Sequence, residues 1–177
     1  MENEKTEAEF IVNQVIDYRR QGYALKDIVV LYRTNAQSRA LEEFFLENNI
    51  SYKIVGGIKF YQRKEVKDII AYLRFLHNQS DLVSLKRIIN VPARGIGNVT
   101  FISYLAGLQS SQKDEQLSSK KDQSIESFKS LVADLEMEIA AQPTSRFIKH
   151  LIQKIKYKEY LDDSADNSEE RWENIAI

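Results

Sequence analysis

Asp27-Ile28-Val29-Val30-Leu31-Tyr32-Arg33-Thr34-Asn35-Ala36-Gln37-Ser38-Arg39 is the stretch on which the fold reading turns. Its first half is a continuous apolar run rich in β-branched residues, the pattern of a strand buried on both faces in a parallel α/β sheet. Asn35 is suited to cap the helix that follows, with Ala40, Leu41, Phe44 and Phe45 on its inner face. Upstream, Thr6-x-x-Glu9 has the form of a capping box, and Ala8, Ile11, Val12, Val15 and Ile16 keep helical spacing until Gly22 offers a stop. Downstream, Tyr52-Lys53-Ile54-Val55 reads as a second, short strand ending at Gly56-Gly57. Residues 1–57 therefore read α-β-α-β, a Rossmann-like or RecA-like segment too small to close a doubly wound sheet.

From Lys64 onward the period is helical. Val66, Ile69, Ile70 and Leu73 line one helix, and Leu82, Leu85 and Ile89 the next. Pro92 interrupts the pattern, and a turn at Arg94-Gly95-Ile96-Gly97-Asn98 precedes a helix carrying Ile102, Leu105 and Ala106. Residues 109–124 hold one apolar side chain, Leu117, and are expected to form a mobile loop. Ile125, Phe128, Val132, Leu135 and Ile139 follow a 3-4-3-4 spacing suited to packing along another helix, and a further helix opens at Pro143-Thr144. Arg171-Trp172-Glu173-Asn174-Ile175 reads as the start of another helix. Together with the half-built sheet, it suggests an excised piece of a larger protein. The expected class is thus an α-rich α/β chain: a partial RecA-like α/β segment over residues 1–78, then an all-α helical subdomain over 79–177.

Composition narrows the chemistry. The 177 residues are 43% hydrophobic and 29% charged with a mean hydropathy of −0.42, ordinary for a soluble globular protein, and no run approaches a membrane span. The polar N-terminus lacks the form of a signal peptide. Cysteine is absent, which excludes disulfides, thiolate metal sites and cysteine catalysis and fits a cytoplasmic location. No Gly-Lys dipeptide occurs, so there is no Walker A loop, and the two histidines, His77 and His150, have no ligand cluster around them. Net charge is −1, but residues 59–98 carry eight basic side chains against three acidic ones, and 162–170 carry five acids and no base. Such imbalances are equally the mark of a solvated helix face.

Two segments can carry chemistry. Tyr32 and Arg33 lie at the carboxyl end of the expected strand, where open α/β sheets bind ligands; the aromatic can stack on a base and the arginine can pair bidentately with phosphate. The plainer alternative is that Tyr32 completes the strand and Arg33 makes a surface ion pair. In the second segment, Gly95-Ile96-Gly97 at a helix N-terminus allows close backbone approach of an anion such as a DNA phosphate, flanked by Arg94 and Thr100. Its alternative is a helix–helix turn that needs glycine for positive φ.

These segments, together with Gly56-Gly57-Ile58-Lys59-Phe60-Tyr61-Gln62-Arg63-Lys64-Glu65-Val66-Lys67-Asp68, resemble ordered motifs of the UvrD/Rep/PcrA superfamily 1 DNA helicases, and most resemble the PcrA branch. Residues 27–39 are similar to motif IV of that family, 56–68 to the motif after it, 87–97 to the start of its inserted helical subdomain and 171–175 to its return segment. The resemblance implies a 3′-to-5′ ATP-dependent DNA helicase and translocase of repair and replication, of which this chain holds the first part of the second RecA-like domain and most of the insert. It implies that Tyr32 packs on the adenine of ATP and that Arg33 reaches the γ-phosphate as the catalytic arginine. Mg2+ would be bound through residues outside this stretch. It also implies that Arg94, Gly95, Ile96, Gly97 and Thr100 meet duplex DNA at the junction with single strand. Walker A and Walker B are absent, so the chain alone is expected to hydrolyse no ATP. The family's second duplex element usually carries a Ser-Gly-Tyr turn, where this chain reads Ile155-Lys156-Tyr157-Lys158 without the glycine. A second expectation, of another class, is a non-catalytic module that docks RNA polymerase or a repair protein.

Overall fold

The computed structural model describes residues 2–33, 37–109, 120–164 and 167–176. The helices are α1 (Glu2–Arg20), α2 (Ser38–Glu47), α3 (Lys64–His77), α4 (Leu82–Ile88), α5 (Asn98–Gln109), α6 (Lys120–Ile139), α7 (Thr144–Lys154), α8 (Tyr157–Ser164) and α9 (Ser168–Glu173). Single 3-10 turns stand at Leu25–Asp27 and Phe60–Gln62. The chain divides into two compact units, Met1–Val66 and Lys67–Ile177, the division falling inside α3.

In the first unit, Ala8, Val12 and Val15 of α1 and Leu41 and Phe45 of α2 close on Ile50 to make one core. Both helices end on a left-handed residue. Gly22 (φ 97°) lets Tyr23 N–H reach the Tyr18 carbonyl, and the two tyrosine rings meet edge-on at 5.6 Å. Asn49 (φ 54°) does the same for α2, with Ile50 N–H on the Phe45 carbonyl at 2.8 Å. Both are Schellman endings, in which the chain turns back and seals an apolar contact under the last turn.

The expected strands are not formed as such. Among the described residues neither 28–33 nor 51–55 joins a strand ladder. A ladder requires a hydrogen-bonded neighbour, which no described segment supplies to either stretch. The period of two survives all the same. Ile28, Val30 and Tyr32 pack on the core of α1 and α2, whereas Val29 and Leu31 are 76% and 90% exposed. Three other expectations are corrected. Thr6 lies inside α1, which already runs from Glu2, so it starts no helix. Residues 120–124 are the first turn of α6 rather than loop, while 110–119 fall outside the described residues. Arg171-Trp172-Glu173 closes α9 rather than opening a helix.

In the second unit α3 is the hub. Tyr72, fully buried, and Phe75 point inward, and Phe75 stacks on Phe128 of α6 at 6.5 Å. Asp68 is 1% exposed and accepts from Arg87 Nε of α4 and from the Tyr157 hydroxyl of α8, each at 2.7 Å. A single carboxylate thereby ties three helices. Burial and the carboxylate together push the Tyr157 phenol far above its usual range, keeping it a donor. Phe128, Val132 and Leu135 of α6 and Phe147, Leu151 and Ile152 of α7 are buried as their spacing requires. Lys154 of α7 reaches back to Glu138 of α6 at 2.8 Å.

Asp68→Ala would leave the buried Tyr157 hydroxyl without its acceptor and Arg87 without its counter-ion. We expect a loss of about 3 kcal/mol in urea denaturation, the lower end for breaking a buried pair because Arg87 can turn to water. A loss under about 1 kcal/mol would show that Asp68 does not hold the unit together.

Candidate functional site

Two groups of residues expected to meet ligands lie in separate units. In the first unit, Tyr32 is half-buried against the core and Arg33 is exposed. Both line a groove of about 790 Å³ between residues 28–33 and 50–55, floored by Leu41 and Phe45. Tyr32 packs at the end of the apolar segment, against the core of α1 and α2. Arg33 makes no ion pair among the described residues. The Arg33 backbone N–H donates to Gln37 Oε1 at 3.0 Å. Thr34, Asn35 and Ala36, with the expected cap at Asn35, fall outside the described residues.

The helix behind Arg33 is anchored by a buried carboxylate. Glu42, 3% exposed, accepts from the Ser38 hydroxyl (3.0 Å), the Tyr52 hydroxyl (3.0 Å) and the Phe60 N–H (3.1 Å). Arg63 Nη2 donates to Ser38 Oγ at 2.8 Å, and its guanidinium lies over the Phe60 ring. Burial, followed by the Glu42 carboxylate, pushes the Tyr52 phenol up to about 12. Buried polar groups linked in this way rigidify what they join. The start of α2 and the segment from Tyr52 to Arg63 are thus coupled through Glu42 and Ser38.

In the second unit the Gly-Ile-Gly turn is built from the inside. Asn90 Oδ1 accepts the N–H of Arg94 (2.7 Å) and of Ile96 (3.1 Å). The Arg94 guanidinium turns inward, donating to the Ile88 (3.0 Å), Ile89 (3.3 Å) and Pro92 (3.1 Å) carbonyls and to the Tyr72 hydroxyl (2.7 Å), above the Phe128 ring. Tyr72 in turn donates to the Val91 carbonyl at 2.6 Å; burial pushes its phenol up to about 12, against the pull of Arg94. The Val91-Pro92 peptide bond is cis. Ile96 is 2% exposed and Thr100 8%. What faces water is Gly95 (φ 72°), Gly97, Asn98 and Val99, the first turn of α5 with its unpaired backbone N–H groups and positive dipole end. Of the five residues expected here, Gly95 and Gly97 stand at the surface, Arg94 and the Ile96 N–H bond the inside of the turn, and Thr100 is buried beneath it. The supports Asn90 and Tyr72 were not singled out in the sequence. Asn90 had a legible signal, since an asparagine ahead of a Pro-x-x-Gly turn is a ready backbone acceptor.

A family model described as the UvrD-like helicase C-terminal domain matches residues 1–176. The chain belongs to that family. It is 38% identical over 187 residues to the ATP-dependent DNA helicase PcrA of Staphylococcus epidermidis (strain RP62A), and 38% identical over 183 residues to the protein of that name in Staphylococcus aureus (strain Mu50). In both cases 97% of this chain is aligned, and it spans 25% of the relative's length. Among the described residues, no helix of this UvrD-like domain is long and apolar enough to cross a membrane, and no group of three or more His, Cys, Asp or Glu could hold a metal ion.

The absence of a glycine in Ile155-Lys156-Tyr157-Lys158 does not abolish the turn there. Lys156 takes the left-handed conformation itself (φ 54°) between α7 and α8, and its N–H bonds the Gln153 carbonyl at 3.0 Å. A non-glycine residue pays for this geometry with Cβ crowding. Lys156→Gly is therefore expected to raise stability by about 1 kcal/mol in urea denaturation. A loss of stability would mean that the lysine side chain makes a compensating contact.

Proposed function

We propose that this chain is a piece of an ATP-dependent 3′-to-5′ DNA helicase and translocase of repair and replication, supplying part of the ATP site and a duplex-DNA contact. The observation that carries the reading is the family match across residues 1–176, with the motif-IV-like segment and the Gly-Ile-Gly turn both inside it. On this reading residues 1–78 are the start of a RecA-like domain, and 79–177 its helical insert. One feature of the first unit supports it: the segment 28–32 is apolar on both faces, and among the described residues only one of those faces is covered.

The residues present fit a share of an ATP site. Tyr32 lines the groove, and Arg33 is exposed with no ion pair among the described residues. Tyr32 would hold the adenine and Arg33 the γ-phosphate, with Mg2+ bound by residues elsewhere in the helicase. ATP supplies the free energy of translocation when bound. What this chain adds is a positive charge that stabilises negative charge on the phosphate oxygens. Phosphate also suits the second unit, where the first turn of α5 presents backbone N–H groups and Gly95 and Gly97 let a DNA strand approach without a Cβ in the way. On this reading Arg94, Ile96 and Thr100 serve the duplex contact by shaping the turn.

Docking of a protein partner, such as RNA polymerase or a repair factor, is the second reading. Val99 and Ile102, 75% and 64% exposed on the outer face of α5, favour it. Salt separates the two, because binding to phosphates weakens steeply as salt rises and an apolar contact does not.

Arg33→Ala in the full-length helicase is expected to lower ATP turnover by about 10³-fold or more while DNA affinity stays within about twofold. ATPase at the wild-type rate in that variant would overturn the assignment of Arg33.

A further inference from the structure

We propose that Gln37 is a positioning residue that sets where Arg33 stands. The inference rests on the nucleotide role assigned to Arg33 above. Arg33 is exposed and forms no ion pair among the described residues, so its guanidinium has no described partner to aim it. What fixes the residue is its main chain. Its N–H donates to Gln37 Oε1 at 3.0 Å, across four positions of sequence.

Gln37 is well placed to act as an anchor. It is the residue immediately before α2, and its backbone is already helical (φ −63°, ψ −25°). The next residue, Ser38, is 1% exposed and held from two sides, donating to Glu42 and accepting from Arg63. Glu42 in turn holds the Phe60 N–H and the Tyr52 hydroxyl. The glutamine therefore projects from a point held by buried hydrogen bonds and reaches back to Arg33. Its side chain is not spent on capping α2, since it makes no cap hydrogen bond there. A short acceptor such as serine or aspartate at this position would serve its own helix instead. The length of glutamine is what lets the carbonyl oxygen reach Arg33.

The chemistry asks only for an acceptor at that distance. Gln37→Met keeps the length and removes the strong acceptor, whereas Gln37→Glu keeps both. In the full-length helicase, Gln37→Met is expected to lower kcat of DNA-stimulated ATP hydrolysis about tenfold, the rate equivalent of one hydrogen bond. The KM for ATP and the melting temperature should be unchanged, and the Arg33 amide should exchange faster with deuterium. Gln37→Glu is expected to keep both the amide protection and kcat within about threefold of wild type. Wild-type kcat in Gln37→Met, beside an inactive Arg33→Ala, would overturn the positioning role and leave the Arg33 assignment standing. Loss of kcat in Gln37→Glu equal to that in Gln37→Met would overturn the acceptor argument. Full activity in Arg33→Ala would remove the reading on which the proposal rests.

Discussion

A carboxylate buried with no water to turn to has to be satisfied by protein, and Asp68 imposes that constraint on the larger unit. Moving a carboxylate out of water costs several kcal/mol unless it is paired and hydrogen-bonded. Asp68 is 1% exposed, so α4 must bring Arg87 and α8 must bring the Tyr157 hydroxyl to it. Added to the apolar packing of α3, α4 and α8, the two bonds at 2.7 Å tie the three helices at one point. With α3 fixed, Tyr72 lies where its hydroxyl meets both the Val91 carbonyl and Arg94.

The same device recurs beside both of the expected sites. Glu42 inside the first unit gathers Ser38, Tyr52 and Phe60, and stands behind the segment that ends at Arg33. Asn90 and Arg94 gather the carbonyls and N–H groups of residues 88–96, and stand behind the exposed glycines. In both units the polar side chains that catch the eye as ligands lie next to polar side chains that do the holding. An arginine satisfied by three carbonyls and a phenol is committed to its own turn, and it gives that turn a rigid backbone to offer an anion.

Much of this was legible in the sequence, for an identifiable reason. The apolar positions of α1, α2, α6 and α7 keep a helical period, and Ala8, Leu41, Phe128 and Leu151 are all buried where that period puts them. The family resemblance rested on motif order and held across the chain. What escaped depended on partners distant in sequence or on backbone energetics. Residues 28–33 kept strand alternation without a ladder, because hydrogen-bonding neighbours cannot be read from the segment itself. Thr6 had the cap pattern but no reason to begin a helix already running from Glu2. The inward path of Arg94 is set by carbonyls that only the folded turn brings together. Lys156 shows the opposite case: the pattern called for glycine, and the fold made the turn with a lysine at a modest energetic cost.

The most direct test of the account concerns Gly97. A Cβ built there meets nothing within 4 Å, so a side chain fits, and an acid at the start of α5 favours the helix dipole. Gly97→Glu should therefore fold as well as the parent while repelling a phosphate from the exposed turn. The measurement is fluorescence anisotropy of the chain with a forked DNA duplex across a salt series, with circular dichroism as the check on fold. The account predicts binding that weakens steeply with salt for the parent, and loss of most of that affinity in Gly97→Glu. Equal binding by both, or a salt-independent affinity, would contradict a duplex contact at the Gly-Ile-Gly turn.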